Sequence, residues 1–149
     1  MNRRQWLRTI GAAGAVGAIL ASPIRLLANV RDGFKAESMA DTLRAITGGK
    51  PVEESDAIVF QIPDIAENGA VVPVSVSTEL PDVTAISIVI ENNPNPLASR
   101  FEITADSFAD VSTRIKMGES SMVRAYVETP TKILTTGKEV KVTIGGCGG

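Results

Sequence analysis

The strongest strand signal in this chain is the stretch Val83-Thr84-Ala85-Ile86-Ser87-Ile88-Val89-Ile90-Glu91. β-Branched residues dominate it, and such side chains favour extended backbone and pack well on a pleated surface. Ile86, Ile88 and Ile90 recur at every second position, so they indicate a strand face that lies in a core. The following Asn92-Asn93-Pro94-Asn95-Pro96 is predicted to be a rigid loop that ends the strand.

Further short β-runs lie on both sides of this strand. Residue types and intervening turn residues predict strands at 57–62, 71–77, 101–104, 111–117, 122–128, 132–134 and 139–144. Pro73 cannot donate a ladder hydrogen bond, so the strand at 71–77 is predicted to be an edge strand or to contain a bulge. A turn is predicted at Thr136-Gly137-Lys138. Seven or eight short strands with turns about 8–12 residues apart indicate an all-β, immunoglobulin-like antiparallel β-sandwich without inter-sheet cysteines.

A short N-terminal helix is predicted before the strands. Met39, Leu43 and Ile46 stand at spacings i, i+4 and i+7, which place them on one face of an amphipathic helix over residues 34–47. Gly48-Gly49 is a stop signal of the kind found just after helices. We therefore divide the chain into a helical segment at 29–50, a β-sandwich at 51–144 and a C-terminal arm at 145–149.

Residues 1–28 are predicted to be a twin-arginine export signal that is cleaved from the mature protein. Arg3-Arg4-Gln5-Trp6-Leu7-Arg8 places paired arginines before an apolar stretch from Ile10 to Leu20. A transmembrane anchor would need about 20 consecutive apolar residues, whereas this run is short, contains glycines and is followed by Pro23. We expect cleavage near Ala28, no stable membrane anchor, and export of the folded domain to the bacterial periplasm.

Composition excludes several classes of function. Removal of residues 1–28 takes four arginines from the 15 basic residues, so 11 basic residues stand against 17 acidic ones and the net charge is −6. An acidic domain does not suit nucleic-acid binding, which needs a basic face. The sequence contains no histidine, which excludes Ser-His-Asp and Cys-His catalysis and imidazole metal ligands. We therefore expect a single domain that is not an independent enzyme and needs no metal or other cofactor.

The C-terminal sequence Gly145-Gly146-Cys147-Gly148-Gly149 contains the one cysteine of the chain. Glycine lacks a Cβ and samples most of φ/ψ space, so residues 145–149 are predicted to form a thin, flexible arm. The sulfur would reach on the order of 10 Å beyond the sheet, enough to enter a narrow pocket of another protein. Side chains in place of the four glycines would widen the arm and restrict its access.

A lone cysteine in an exported protein indicates a reactive thiol or an intermolecular bond rather than an internal disulfide. The sequence places no cation, histidine or helix N-terminus beside Cys147, so activation of the thiol is expected to come from a partner. A sulfur-based adduct suits this arm because thiols form persulfides and exchange reversibly. We interpret Cys147 as the attachment site of a covalent substrate carrier.

Two other interpretations stay open at this point. Gly148-Gly149 at the C-terminus also fits a ubiquitin-like sulfur carrier that acts through a thiocarboxylate, although the export signal and the all-β pattern argue against it. The other is a non-catalytic structural β-sandwich in which Cys147 is a spare surface thiol. An added mass at Cys147 or a thiocarboxylate at Gly149 would separate the two kinds of carrier.

The chain resembles the SoxY family, the sulfur-carrier subunits of the periplasmic Sox thiosulfate-oxidation system. The resemblance rests on the C-terminal Gly-Gly-Cys-Gly-Gly with the export signal, and on internal stretches that span most of the mature chain. These stretches are Asp64-Ile65-Ala66-Glu67-Asn68-Gly69-Ala70-Val71-Val72-Pro73-Val74, Asn93-Pro94-Asn95-Pro96-Leu97-Ala98 and Ser112-Thr113-Arg114-Ile115-Lys116-Met117. The resemblance implies that Cys147 holds thiosulfate-derived intermediates for the Sox enzymes.

The resemblance also implies partners. A SoxZ-like subunit, a second small β-sandwich, would form a heterodimer with this chain. A SoxAX-like haem enzyme would join thiosulfate oxidatively to Cys147, and a SoxB-like manganese hydrolase would release the terminal sulfone as sulfate. Where present, a molybdenum–haem sulfur dehydrogenase would oxidise the remaining sulfane sulfur.

Three further groups of residues have structural explanations beside functional ones. Asp64 and Glu67 could form a carboxylate pair, but they flank a turn and are expected to be solvated. Residues 93–96 are expected to be a structural loop that could line a partner interface. Arg114 and Lys116 are predicted to lie on the outward face of their strand, where they either meet an acidic partner or face water.

Overall fold

The structure is a computed structural model that describes residues 30–143. Within that range α1 (Met39–Thr47) precedes nine strands, and no helix is long and apolar enough to cross a membrane. The strands are β1 (Val52–Glu54), β2 (Ile58–Gln61), β3 (Ile65–Ala66), β4 (Val72–Thr78), β5 (Ala85–Ile90), β6 (Leu97–Glu102), β7 (Asp110–Ile115), β8 (Ser121–Glu128) and β9 (Ile133–Val142). The predicted signal at 1–28 and the predicted arm at 145–149 lie outside the described residues.

The strands form two sheets. The large sheet has the order β1-β9-β8-β5-β6, with β3 added beside β9, and the small sheet has the order β2-β4-β7. Their facing sides enclose the core, which confirms the predicted β-sandwich. The pairings are antiparallel except those of β1 and β3, which run parallel to β9. Strands of two or three residues have no readable periodicity, so the sequence did not predict them.

β5 is buried along its whole length. Ile86, Ile88 and Ile90 contribute to the core between the sheets, as predicted, and have no exposed surface. Val89 belongs instead to a second apolar cluster, in which it packs with Ile46 of α1. The helix therefore covers the outer face of the large sheet, and a strand with one predicted core face is buried on both sides.

The helix begins at Met39 and not at residue 34 as predicted, because Ser38 is its N-cap. The Ser38 side chain accepts a hydrogen bond from the Asp41 backbone N–H at 3.1 Å, which satisfies one of the free amides of the first turn. Phe34 lies outside α1 and is 43% exposed. The predicted stop is confirmed, since Gly48 caps the helix in the left-handed conformation, with φ at 57°.

The turn predicted at residues 136–138 is wrong, because β9 runs unbroken through them and pairs with β8. Gly137 lies opposite Arg124, and a Cβ at Gly137 would come within 2.9 Å of the Arg124 Cγ. The glycine leaves room for the arginine side chain, which donates to Glu91 at 2.9 Å. In a sequence, a glycine needed for close packing looks the same as a glycine needed for a turn.

The edge-strand prediction for residues 71–77 is also wrong, since β4 is the middle strand of the small sheet. β2 pairs with β4 only from Ser75 to Thr78, so its ladder ends before Pro73. On that side the missing amide of Pro73 therefore costs no ladder hydrogen bond. On the other side Pro73 lies opposite Arg114 of β7.

A buried ion cluster joins the segment after α1 to the large sheet. Glu128 accepts hydrogen bonds from Lys50 Nζ and Arg100 Nη2, each at 2.7 Å. Burial raises the pKa of the Glu128 carboxyl, but the hydrogen bonds and charges of these two cations outweigh it and hold the pKa below the usual 4.5. Burial likewise lowers the pKa of Arg100, yet its bonds to Glu128 and Glu102 raise it overall. The cluster is therefore charged at neutral pH.

We expect Ile46→Ala to lower the free energy of unfolding by about 2–4 kcal/mol, because it removes apolar contacts between α1 and the sheet and leaves a cavity. Phe108→Ala is the control. Phe108 is 93% exposed, so its truncation should change stability by less than about 0.5 kcal/mol. Urea unfolding of the two variants measures the difference, and equal effects would contradict the packing of α1.

We expect Glu128→Gln to destabilise the protein by about 1–3 kcal/mol at neutral pH and to have a smaller effect in acid. Because the folded pKa of Glu128 lies below 4.5, its ionic contribution is complete above pH 4.5 and is lost as pH falls through the folded value. Urea unfolding between about pH 3 and pH 7 should show the gap to wild type closing at the acid end.

Glu53→Gln is the control for this titration. It breaks an exposed pair with Lys132, so the gap to wild type should stay close to zero at every pH. A Glu128→Gln gap that does not change with pH would contradict the assignment of Glu128 as a charged, stabilising group.

Candidate functional site

The functional residue predicted from the sequence, Cys147, and its four flanking glycines lie outside the described residues. The structure instead defines the place from which the predicted arm starts. β9 ends at Val142, and Thr143 is the last described residue. We call Lys141, Val142 and Thr143 the arm root.

All three backbone amides of the arm root donate hydrogen bonds. The Lys141 amide donates to the Asp64 carbonyl oxygen at 2.9 Å, and the Thr143 amide donates to the Ala66 carbonyl oxygen at 3.1 Å. These two bonds belong to the parallel pairing of β9 with β3. The amide between them donates to the Ser120 hydroxyl at 2.9 Å. The chain is therefore held up to Thr143, four residues before Cys147.

Gly69 packs directly against the arm root. A Cβ at Gly69 would lie 2.6 Å from the Met117 carbonyl oxygen and 3.0 Å from the Val142 Cγ1, and the first of these is shorter than real Cβ contacts. The Gly69 carbonyl also accepts a hydrogen bond from the Met117 amide at 2.7 Å. Its φ is not positive, so this position needs glycine for close approach and not for its backbone conformation.

The asparagine loop after β5 braces the same end of the sandwich. The Asn93 side chain donates to the Lys116 carbonyl at 2.8 Å and accepts from the Gly118 amide at 3.1 Å. The Asn92 side chain donates to the Ser120 carbonyl at 3.0 Å. The loop therefore positions the turn between β7 and β8, including the hydroxyl that holds the arm root. These contacts support the structural interpretation of residues 93–96.

Charged side chains around the arm root are exposed. Asp64 makes a 2.8 Å ion pair with Lys138 and its side chain is 79% exposed, and Glu67 is exposed as well, which agrees with the solvated interpretation of both. Arg114, on the outward face of β7, and Lys116, directly after the strand, are both exposed, as predicted. The described part of the chain contains no cluster of three acidic, cysteine or histidine side chains that could hold a metal.

Sequence reasoning missed two parts of this site, β3 and Ser120. β3 has only two residues, and Ser120 lies between the predicted strands at 111–117 and 122–128. The three internal stretches that support the resemblance were the one sequence signal that pointed to this site. In the structure all three of them meet at this end of the sandwich. Their meeting depends on contacts between residues far apart in the chain, which periodicity does not report.

Both the sequence and the fold are similar to known proteins. The family described as sulfur oxidation protein SoxY matches residues 43–147 of the chain. The solved structure of the sulfur carrier protein SoxY from Chlorobium limicola f thiosulfatophilum is 37% identical, with a TM-score of 0.65, over 72% of this chain and 97% of that chain. A β-glucuronidase from Bacteroides uniformis is similar over 59% of this chain and 11% of that chain, but at 11% identity and a TM-score of 0.40 the likeness carries no argument. No curated protein matches the sequence.

We expect Gly69→Ala to lower the free energy of unfolding by about 1–3 kcal/mol, because the added methyl group would overlap the Met117 carbonyl. Gly118→Ala, in the adjacent turn, is the matched control. The nearest atom to a Cβ there is the Asn93 Oδ1 at 3.9 Å, so the change should be below about 1 kcal/mol. Thermal unfolding compares the two, and equal stability would contradict the close approach at the arm root.

Proposed function

This chain belongs to the SoxY family of sulfur oxidation proteins, and on that basis we propose that it holds thiosulfate-derived intermediates on the Cys147 thiol. It is a sulfur-carrier subunit, and in the proposed function the chemistry is done by the enzymes to which it presents Cys147. The absence of histidine from the sequence agrees with this division, because the chain lacks the usual general base for activating a thiol.

The anchoring of the arm root is the observation that supports the proposal. Three hydrogen-bonded amides hold the chain up to Thr143, and only Ile144, Gly145 and Gly146 separate it from Cys147. Extended residues span about 3.3–3.6 Å each, so the tether places Cys147 within about 14 Å of Thr143. A fixed root with a short, glycine-rich tether lets one carrier deliver its adduct into several different pockets while the sandwich stays outside.

The first proposed step is the oxidative loading of thiosulfate. A sulfur–sulfur bond forms between Cys147 and the outer sulfur of thiosulfate, giving Cys–S–S–SO₃⁻, one proton and two electrons. A SoxAX-like haem enzyme is the proposed acceptor of the electrons. The residues of this chain contribute the nucleophilic sulfur and its positioning, while the partner contributes the oxidant.

The second proposed step is hydrolysis of the terminal sulfone. Water attacks the sulfonate sulfur, the bond to the sulfane sulfur breaks, and sulfate and a proton leave the persulfide Cys–S–SH on the arm. A SoxB-like manganese hydrolase is the proposed enzyme. Where a sulfur dehydrogenase is present, we propose that it oxidises the remaining sulfane sulfur so that a later hydrolysis restores the thiol.

The remaining parts of the proposal concern assembly and location. We propose a heterodimer with a SoxZ-like subunit, and export to the periplasm by the twin-arginine signal at residues 1–28. Twin-arginine export moves folded proteins, so a partner without a signal could leave the cytoplasm bound to this chain. Fractionation of cells that express the full chain, with Arg3 and Arg4 both replaced by lysine as the control, tests the location.

We expect Cys147→Ser to abolish thiosulfate-dependent turnover by the Sox enzymes without changing the thermal unfolding temperature, because serine cannot form the sulfur–sulfur bond that holds the adduct. Intact-mass analysis of the wild-type protein after incubation with thiosulfate and the loading enzyme should show an adduct that a reductant removes. The serine variant should show none.

Two results would contradict the carrier proposal. Full turnover by Cys147→Ser, or by a chain that ends at Ile144, would leave a structural β-sandwich as the better explanation. A thiocarboxylate at Gly149 in place of an adduct at Cys147 would identify the ubiquitin-like mode of sulfur transfer.

A further inference from the structure

The short tether restricts which surface of this protein a partner enzyme can touch. Cys147 is four residues from Thr143, so the sulfur stays within about 14 Å of the arm root. An enzyme whose reactive atoms reach Cys147 must therefore approach the end of the sandwich around the arm root. This argument rests on the proposed function and leads to the surface beside β3.

Two adjoining depressions lie on that surface, with volumes of about 410 and 680 Å³. Pro63 and Pro73 line both of them, so the two depressions adjoin, and together we call them the groove. Ile65 and Val71 line the smaller depression and are 57% and 50% exposed. Apolar side chains clustered in this way on a surface are typical of interaction sites.

The groove also has a cationic border. Arg114 lines the larger depression, and Lys116 follows it on the same outward face of the chain. Lys141, the first residue of the arm root, lies opposite Ile65 in the pairing of β3 with β9. These three exposed cations make no ion pair with any residue in the described part of the chain.

Two other charged residues line the groove, and the unpaired charge around it is still mainly positive. Lys138 borders the larger depression and is already paired with Asp64. Glu67 is the carboxylate that lines the smaller one. Three unpaired cations, Arg114, Lys116 and Lys141, therefore stand against one carboxylate, Glu67, in the groove and its border, although residues 29–149 have a net charge of −6.

We propose that the groove, together with Arg114, Lys116 and Lys141, is a docking surface for the entrance rim of the enzymes that receive the arm. The rim would have apolar side chains that contact Ile65 and Val71, and carboxylates that face the three cations. Complementary charge increases the rate of encounter more than it increases affinity, which suits a carrier that must leave each enzyme after reaction. A permanent subunit on this surface would stand between the arm root and those enzymes.

Arg114→Glu and Ile65→Asp test the docking surface in the complete carrier with its SoxZ-like subunit. The assay measures thiosulfate loading of Cys147 by the SoxAX-like haem enzyme as a function of carrier concentration. We expect each variant to lower kcat/KM at least about tenfold, mainly by raising KM, because docking is lost while the chemistry at Cys147 is not. Added salt should slow wild type more than Arg114→Glu.

Matched controls lie away from the groove. Phe108→Asp changes an apolar residue that is more exposed than Ile65 and lies at the opposite end of the sandwich, where β4 ends beside Ala109. Lys35→Glu reverses an exposed cation before α1. Both should load at the wild-type rate. Lys116 is exposed, so Lys116→Glu should fold normally and serves as a further variant of the docking surface, not as a control.

The outcomes separate this proposal from the proposed function. Iodoacetamide should label Cys147 at the wild-type rate in every surface and control variant. If only the surface variants were labelled slowly, the defect would lie in the reactivity of the thiol, and the docking proposal would be overturned. Wild-type kcat/KM for Arg114→Glu, Ile65→Asp and Lys116→Glu would also overturn it, while an inactive Cys147→Ser would leave the carrier function standing. An active Cys147→Ser would refute the carrier function itself.

Discussion

β9 is hydrogen-bonded to neighbouring strands along its length, and both the large sheet and the position of the arm root depend on that pairing. β8 pairs with it from Ile133 to Val140, while β1 and β3 pair with the two ends of its other edge. The same strand thereby completes the large sheet and places the arm root. A shift of β9 by one residue would turn its core side chains outward and would break the three hydrogen bonds of the arm root at once.

The two ends of the sandwich are stabilised differently. The ion cluster around Glu128 lies where β5 begins, because Glu128 pairs with Ala85. The end with the arm root is held by backbone amides, asparagine side chains and the close packing of Gly69. Neutral hydrogen bonds fix this geometry, and the charged ends of Arg114, Lys116 and Lys141 make no ion pair in the described part of the chain.

A carrier of this kind separates positioning from chemistry. In the proposed function the chain supplies one sulfur on a tether of known length, and the partners supply oxidant and water activation. The tether length makes the docking proposal specific, because few surfaces lie within about 14 Å of Thr143. Ordering a glycine-rich arm in a pocket costs conformational entropy, so weak contacts at its root would help the arm to enter without preventing its release.

Local patterns were enough to predict the β-sandwich, the core face of β5, the outward face of β7 and the candidate thiol Cys147. Each of these can be read from neighbouring residues, because strand side chains alternate with a period of two and β-branched residues favour extended backbone. The start of α1, the role of Gly137 and the pairing of β3 could not be read in this way. Gly69 and Gly137 are glycines because of atoms that come from distant parts of the chain, and the arm root is held by residues more than twenty positions away. Such contacts arise when the chain folds, so the place where the arm begins is a property of the folded sandwich.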